Sequence, residues 1–142
     1  MNVAFSQDEE LVCVTENDTC GVDAIQVLTG CSLGKGNLIY RDTGKQAFRF
    51  FDRNTGKKIR VVFKKLRNED MDRAELQDYI LNAPLHDLFD YKDPPFEPPI
   101  KAQLFRSEIC KQCRESTPEN RMWLQKGKKI CLDCYQEYSR GW

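Results

Sequence analysis

The chain has one histidine, His86, with no partner residue that would make it half of a catalytic dyad. A lone His in a short helical turn is expected as a capping or surface group. Net charge is missing too. The 22 Lys and Arg balance 22 Asp and Glu, so the chain as a whole is no general polyanion binder. No apolar run approaches the roughly eighteen residues that a membrane-spanning helix needs. Residues Met1 to Glu10 have no basic n-region and no apolar h-region, which predicts that they are not a signal peptide. Gly34-Lys-Gly36 lacks the Gly-Lys-Ser/Thr of a P-loop and follows a helix instead of leading into one. Its glycines are expected to make a turn. No internal repeat is present, and the one biased stretch is Asp93-Pro-Pro-Phe-Glu-Pro-Pro99.

Cysteine is plentiful by contrast, with seven in the chain. An odd count fits a reducing cytoplasm better than a secreted disulfide scaffold. Four of them form Cys110-Lys-Gln-Cys113 and Cys131-Leu-Asp-Cys134, with seventeen residues between the pairs. A Cys-x-x-Cys turn aims two sulfurs at one point, and a second pair brought over by a hairpin completes a tetrahedron. Zn²⁺ suits four thiolates because it is borderline-soft and redox-inert. A redox dithiol and an iron–sulfur site are the alternatives. Arg121 to Gln125 and Lys129 to Cys131 read as strands joined by the turn Lys126-Gly-Lys128. Tyr135 to Arg140 reads as a short helix. That order predicts a treble-clef finger with Cys110, Cys113, Cys131 and Cys134 holding one structural zinc, since four filled positions leave none for substrate. A metal also answers a size problem, because residues 100–142 alone are too few for a self-sufficient core.

The front of the chain predicts an α+β fold. Glu10 to Glu16 is a short strand candidate that alternates Val12 and Val14 against Leu11 and Cys13. Asn17 and Thr19 offer N-caps for a helix from about Cys20 to Thr29, with Val22, Ile25 and Leu28 at helical spacing and Gly30 as C-cap. Three strand-like runs follow, Leu38 to Asp42, Ala47 to Arg53 and Lys57 to Lys64, and they predict an antiparallel meander. Phe48, Phe50, Ile59, Val61 and Phe63 share one face. Arg49, Arg53, Lys58, Arg60 and Lys64 share the other, which is a candidate nucleic-acid or anion surface unless the acidic flanks or a second subunit neutralise it. Asp72 to Asn82 predicts a helix, and Pro84 to Phe89 a helical turn. The Pro-rich run should act as a stiff spacer. The expected layout is an α+β domain over 1–92, a linker over 93–104 and the zinc finger over 105–142. From Ile100 on, nine bases against five acids shrink to an excess of about +2 once four thiolates on zinc contribute −2. This makes the finger a weak electrostatic candidate for DNA by itself.

Cys20 and Cys31 bracket the first helix. Eleven helical residues at about 1.5 Å each separate its ends by about 16 Å, too far for one metal or one disulfide within a chain. Cys20 lies at the positive end of the helix dipole and Cys31 beside Lys35. Each is either a packed small residue or a reactive or ligating thiol.

The stretch Asp18-Thr-Cys-Gly-Val-Asp-Ala-Ile-Gln-Val-Leu-Thr-Gly-Cys-Ser-Leu-Gly-Lys-Gly-Asn37, continued by Leu38-Ile-Tyr-Arg-Asp-Thr-Gly-Lys-Gln-Ala-Phe48, resembles the E-subunit family of formylmethanofuran dehydrogenase. The resemblance extends through Ala83-Pro84 and Phe105-Arg-Ser107 into the four-cysteine finger. It implies an α+β N-terminal domain with a metal site, a treble-clef zinc domain and a tendency to dimerise. Cys20, Asp23, Cys31 and Lys35 match the family pattern and become candidate cofactor-binding residues, with Cys31 also the candidate catalytic residue. The His and Cys-Pro-Gly motif of the family's preceding helix is not in this sequence, so the resemblance marks a shortened member, and a second, N-terminal metal stays open. The expected function is a cytoplasmic zinc-binding, accessory or metal-linked component of a redox complex, leaning non-catalytic, as a homodimer or with other subunits and away from membranes. The alternatives are an enzyme using Cys31 as nucleophile or metal ligand, and a nucleic-acid binder using the basic sheet face and the finger.

Overall fold

A computed structural model describes residues 5–66 and 71–141. The leader expectation for Met1 to Ala4 and the basic residue Arg67 lie outside them. The described chain divides into two units, one ending at Ala102 and one beginning at Gln103.

The first unit is built on strand β1, Leu11–Thr15, in which every residue is buried. A strand apolar on both faces belongs inside a sheet. It is followed by helix α1, Gly21–Thr29, and by β2, Leu38–Tyr40, which pairs with β1 in parallel. Strands β3, Ala47–Asp52, β4, Lys58–Phe63, and β5, Phe89–Lys92, complete the order β2-β1-β3-β4-β5. The expected meander is therefore corrected. Of the three strands expected to form it, only β3 and β4 are antiparallel neighbours, and β1 lies between β2 and β3. The reason is physical: β1 needs cover on two faces and two edges, and α1 is long enough to serve as the crossover that a parallel pair requires.

Helix α1 lays Val22 and Ile25, one turn apart, on Leu11, Cys13, Cys31, Leu38 and Phe50. Its end is set by Gly30, at φ +70°, where a Cβ would come within 2.7 Å of the Ser6 carbonyl oxygen. The expected side-chain N-caps are not used. The N-cap is Cys20, which makes no side-chain cap, while Asn17 Oδ1 accepts from the Thr19 amide and hydroxyl to shape the preceding turn. Helix α2, Arg73–Asn82, starts with a capping box between Asp72 and Glu75, and the short helix α3 covers Leu85–Leu88. No helix among the described residues is long and apolar enough to cross a membrane.

The second sheet face carries Val12, Val14 and Phe51, and the Pro-rich segment lies across it. Phe96 stacks on Phe51 at 5.8 Å, Pro99 accepts a 2.7 Å hydrogen bond from Arg53, and Glu97 pairs with Lys58 at 3.0 Å. Proline has no N–H to donate to a ladder, but its carbonyl can still accept and its neighbours can still pack. The segment expected as a spacer is thus a strap on the first unit.

The second unit is two hairpins. Strands β6, Ser107–Ile109, and β7, Ser116–Pro118, pair antiparallel, as do β8, Met122–Gln125, and β9, Lys128–Cys131. The turn between β8 and β9 has Lys126 at φ 49° and Gly127 at φ 74°, the double positive φ of a type I′ hairpin. The helix expected over Tyr135 to Arg140 does not form; those residues carry no regular structure. So short a segment does not nucleate a helix without packing. Tyr135 instead stacks on Trp123 at 4.8 Å, and the Gln136 carbonyl accepts from Gln125 at 2.5 Å. The treble-clef order consequently lacks its helix.

Candidate metal centre

Each Cys-x-x-Cys pair occupies a bend next to a hairpin. Cys110 and Cys113 lie in the loop between β6 and β7, where the Cys110 amide donates to the Glu115 carbonyl and the Arg114 amide to the Cys110 carbonyl. Arg114 sits at φ 68° to close this turn. Cys131 ends β9, and its carbonyl accepts from the Cys134 and Tyr135 amides. The Lys111 amide donates to the Lys129 carbonyl, which ties the first knuckle to β9.

These bends bring all four sulfurs within 4.8 Å of one another, with Cys113 and Cys131 3.8 Å apart. A tetrahedral ion with metal–sulfur bonds of about 2.3 Å requires sulfur edges of about 3.8 Å. The donor set is four thiols, the chemistry that selects Zn²⁺ or an iron–sulfur centre. Cys110 and Cys131 are buried with Ile130, and Met122 and Tyr135 pack around them.

The electrostatics favour thiolate at one position first. Burial raises the Cys110 thiol, but amide hydrogen bonds from Cys131 and Gln112, each 3.4 Å to its sulfur, outweigh this and bring it down to about 6. Cys134 is pushed up to about 12, chiefly by its bond to Cys131 and then by burial. Four thiols this close cannot all ionise unaided, and a divalent cation removes that conflict. With all four ligands from protein, such a centre is closed to substrate. Among the described residues this is the one convergence of three or more metal-ligating side chains.

The N-terminal candidates fall at opposite ends of α1. Cys20 and Asp23 line a cleft of about 300 Å³ at the carboxyl ends of β1 and β2, together with Asn17, Asp18, Leu33 and Tyr40. Open α/β sheets place ligands at that location. Sequence reasoning missed Tyr40 and Asp18 as lining residues, because the parallel β1–β2 pairing that brings them together has no local signature. Cys31 is wholly buried, its sulfur 3.5 Å from the Leu11 carbonyl oxygen, and burial raises its thiol against the pull of Thr29 and Lys35. This environment opposes the thiolate that attack or ligation needs. Lys35 donates a 2.8 Å bond to the Ser6 carbonyl. The four residues therefore do not converge.

The basic sheet face is neutralised from within. Glu16 is wholly buried, and Arg60 grips it with bonds of 2.6 and 3.0 Å. Thr43 donates at 3.0 Å, and Arg49 Nε lies 2.9 Å away as an ion pair without an aligned hydrogen bond. The bond to Arg60 is the main reason the Glu16 carboxyl is held below its ordinary value. Glu16 in turn raises Arg60, whereas burial pulls Arg49 down. Phe96 covers the Arg49 guanidinium at 4.4 Å.

The family described as "FmdE, Molybdenum formylmethanofuran dehydrogenase operon" matches residues 1–90. The chain belongs to the FmdE family. The crystal structure of an FmdE-like protein of the tungsten formylmethanofuran dehydrogenase type, from Syntrophus aciditrophicus, shares the fold at 24% identity and a TM-score of 0.59, over 87% of this chain and 70% of that one. A probable S-adenosyl-L-methionine-binding protein of Archaeoglobus fulgidus is 26% identical over 161 residues. That match takes in 94% of this FmdE-family chain but only 43% of the relative. The chain thus spans under half of that relative's length.

Proposed function

We propose that this FmdE-family chain is a zinc-stabilised accessory component of a redox complex, acting in the cytoplasm and not itself the catalyst. The observation that carries this is the sulfur quartet. Its spacing fits zinc, and its four protein ligands leave no position for substrate. The buried, protonation-favouring site of Cys31 speaks against the rival proposal of a Cys31 nucleophile. The cleft holding Cys20 and Asp23 remains the place where a second metal or a small ligand would enter.

Self-association is part of the proposal. Helix α2 buries none of its residues, and Leu81 and Leu85 stand exposed, as do Val27 and Leu28 on α1. A ten-residue helix is not stable in water alone, so α2 needs a packing partner, which a second copy supplies. Two experiments test the proposal. Metal analysis of protein purified without added metal should give about one zinc per chain, the stoichiometry of a single closed site. Iron or no metal would overturn it. Affinity purification at native expression should retain a molybdenum- or tungsten-containing partner. A chain recovered alone that turns over substrate with Cys31 alkylation-sensitive kinetics would establish the rival.

A further inference from the structure

The hairpin of β8 and β9 borders a cleft of about 270 Å³ that none of the foregoing uses. Lys111, Lys126 and Lys128 line it with Gln112, Gln125 and Gln136, and Ile130 is its one apolar lining residue. No carboxylate lines it among the described residues. Glu108 pairs with Lys129 at 3.0 Å, and strand alternation puts Lys129 on the opposite face from Lys128 and Ile130. Lys126 and Lys128 flank Gly127 in a two-residue turn, which holds their backbones in fixed positions.

An aromatic surface adjoins this cleft. Trp123 is two residues from Gln125 on β8, so both face the same side. Its indole stacks on Tyr135 at 4.8 Å and 27° and is still 48% exposed. Tyr135 stiffens the ring, and about half of the Trp123 surface stays open to solvent. The Gln125 bond to Gln136, the residue after Tyr135, ties this platform to the cleft wall. Clustered ammonium groups attract phosphates, an open indole stacks a base, and primary amides donate to and accept from base edges. Bases inside a duplex are not free to stack in this way.

We infer that the C-terminal unit binds single-stranded nucleic acid here, with Lys111, Lys126 and Lys128 on phosphates and Trp123 under a base. The small net charge of the unit does not argue against this, because segregation of charge and not its total makes the surface. The site is independent of the redox-complex proposal and stands or falls apart from it.

The test uses the full zinc-bound chain and labelled random-sequence single-stranded DNA and RNA in fluorescence anisotropy. Binding should weaken with salt at a log–log slope of about −2, since each of three phosphate contacts contributes roughly 0.7. The triple variant K111Q/K126N/K128Q should bind at least about tenfold more weakly with a shallower slope. Asn at 126 is chosen because it tolerates positive φ. Lys129→Gln should leave affinity unchanged, and Trp123→Phe should weaken it while zinc content stays constant. The wild-type chain decides the matter even if the triple variant misfolds. Absence of binding at low salt, preference for duplex, or equal competition by heparin or a phosphopeptide each overturns the assignment, as does a folded triple variant that binds normally.

Discussion

Glu16 is the residue on which the first unit's polar interior turns. Arg49 and Arg60 face each other across β3 and β4, a like-charge pair that is tolerable only because the buried carboxylate reaches both. Glu16→Gln should therefore destabilise the unit by about 3–5 kcal/mol, the cost of leaving buried charge uncompensated. Urea denaturation at neutral pH would measure this, and a loss within the error of the wild type would refute the role. The pH dependence follows from the same contact. The folded carboxyl lies below its ordinary value of 4.5, so its stabilisation is present above that value and is lost as pH falls through the lower, folded one. Below pH 4.5 the wild type should lose stability faster than the Gln variant. Thiol accessibility is the second prediction at this scale. Cys20 is exposed and Cys31 is not, so a thiol reagent on the native protein should modify Cys20 long before Cys31. Charge alternation along β3 and β4 was legible in the residues. Its neutralisation was not, because Glu16 and Phe96 reach that face from distant positions in the chain.

Among the elements, α1 shows best how local sequence becomes site. Its extent follows from Val22, Ile25 and Gly30, and its ends then keep Cys20 and Cys31 apart. Gly30→Ala adds a Cβ at φ +70° and pushes it toward the Ser6 oxygen, 2.7 Å away. The expected cost is about 1–2 kcal/mol for the left-handed conformation, with more from the contact. A shift in the thermal midpoint would report it, and an unchanged midpoint would mean that α1 ends differently. The strands were harder to assign. Leu38 to Tyr40 reads as a strand in isolation, but nothing in it says that its neighbour is β1 and not β3. Strand pairing is chosen by burial over the whole sheet, and β1 takes an interior place between β2 and β3 because both its faces are apolar. The missing helix after Cys134 has a matching cause. Its propensity was adequate, but Tyr135 gains more by stacking on Trp123 than a single isolated turn would return.

For the molecule as a whole, the two units rest on different physics. The first carries two apolar clusters, one on each face of a five-stranded sheet. Among the described residues, the second buries only Cys110, Ile130 and Cys131 as its hydrophobic core. Chelation should therefore unfold the second unit and spare the first. Proton–nitrogen correlation spectra before and after a zinc chelator would show amide dispersion collapse for residues 103–141 while resonances of the sheet stay in place. Loss of both sets together, or of neither, would contradict the assignment. Substitution of Leu81 by Glu on α2 should convert a dimer to monomer in sedimentation if a second copy covers that helix.

The sequence by itself determined the four-cysteine cluster, because two Cys-x-x-Cys turns carry their geometry locally and need only a hairpin to meet. It also determined α1, the β3–β4 hairpin and the balance of charge. Only the tertiary structure decided that β1 lies between β2 and β3, that the proline run lies across the basic face, and that Cys31 is core while Cys20 borders a cleft. Those outcomes depend on which distant surfaces exclude water from one another, and no window of neighbouring residues contains that information.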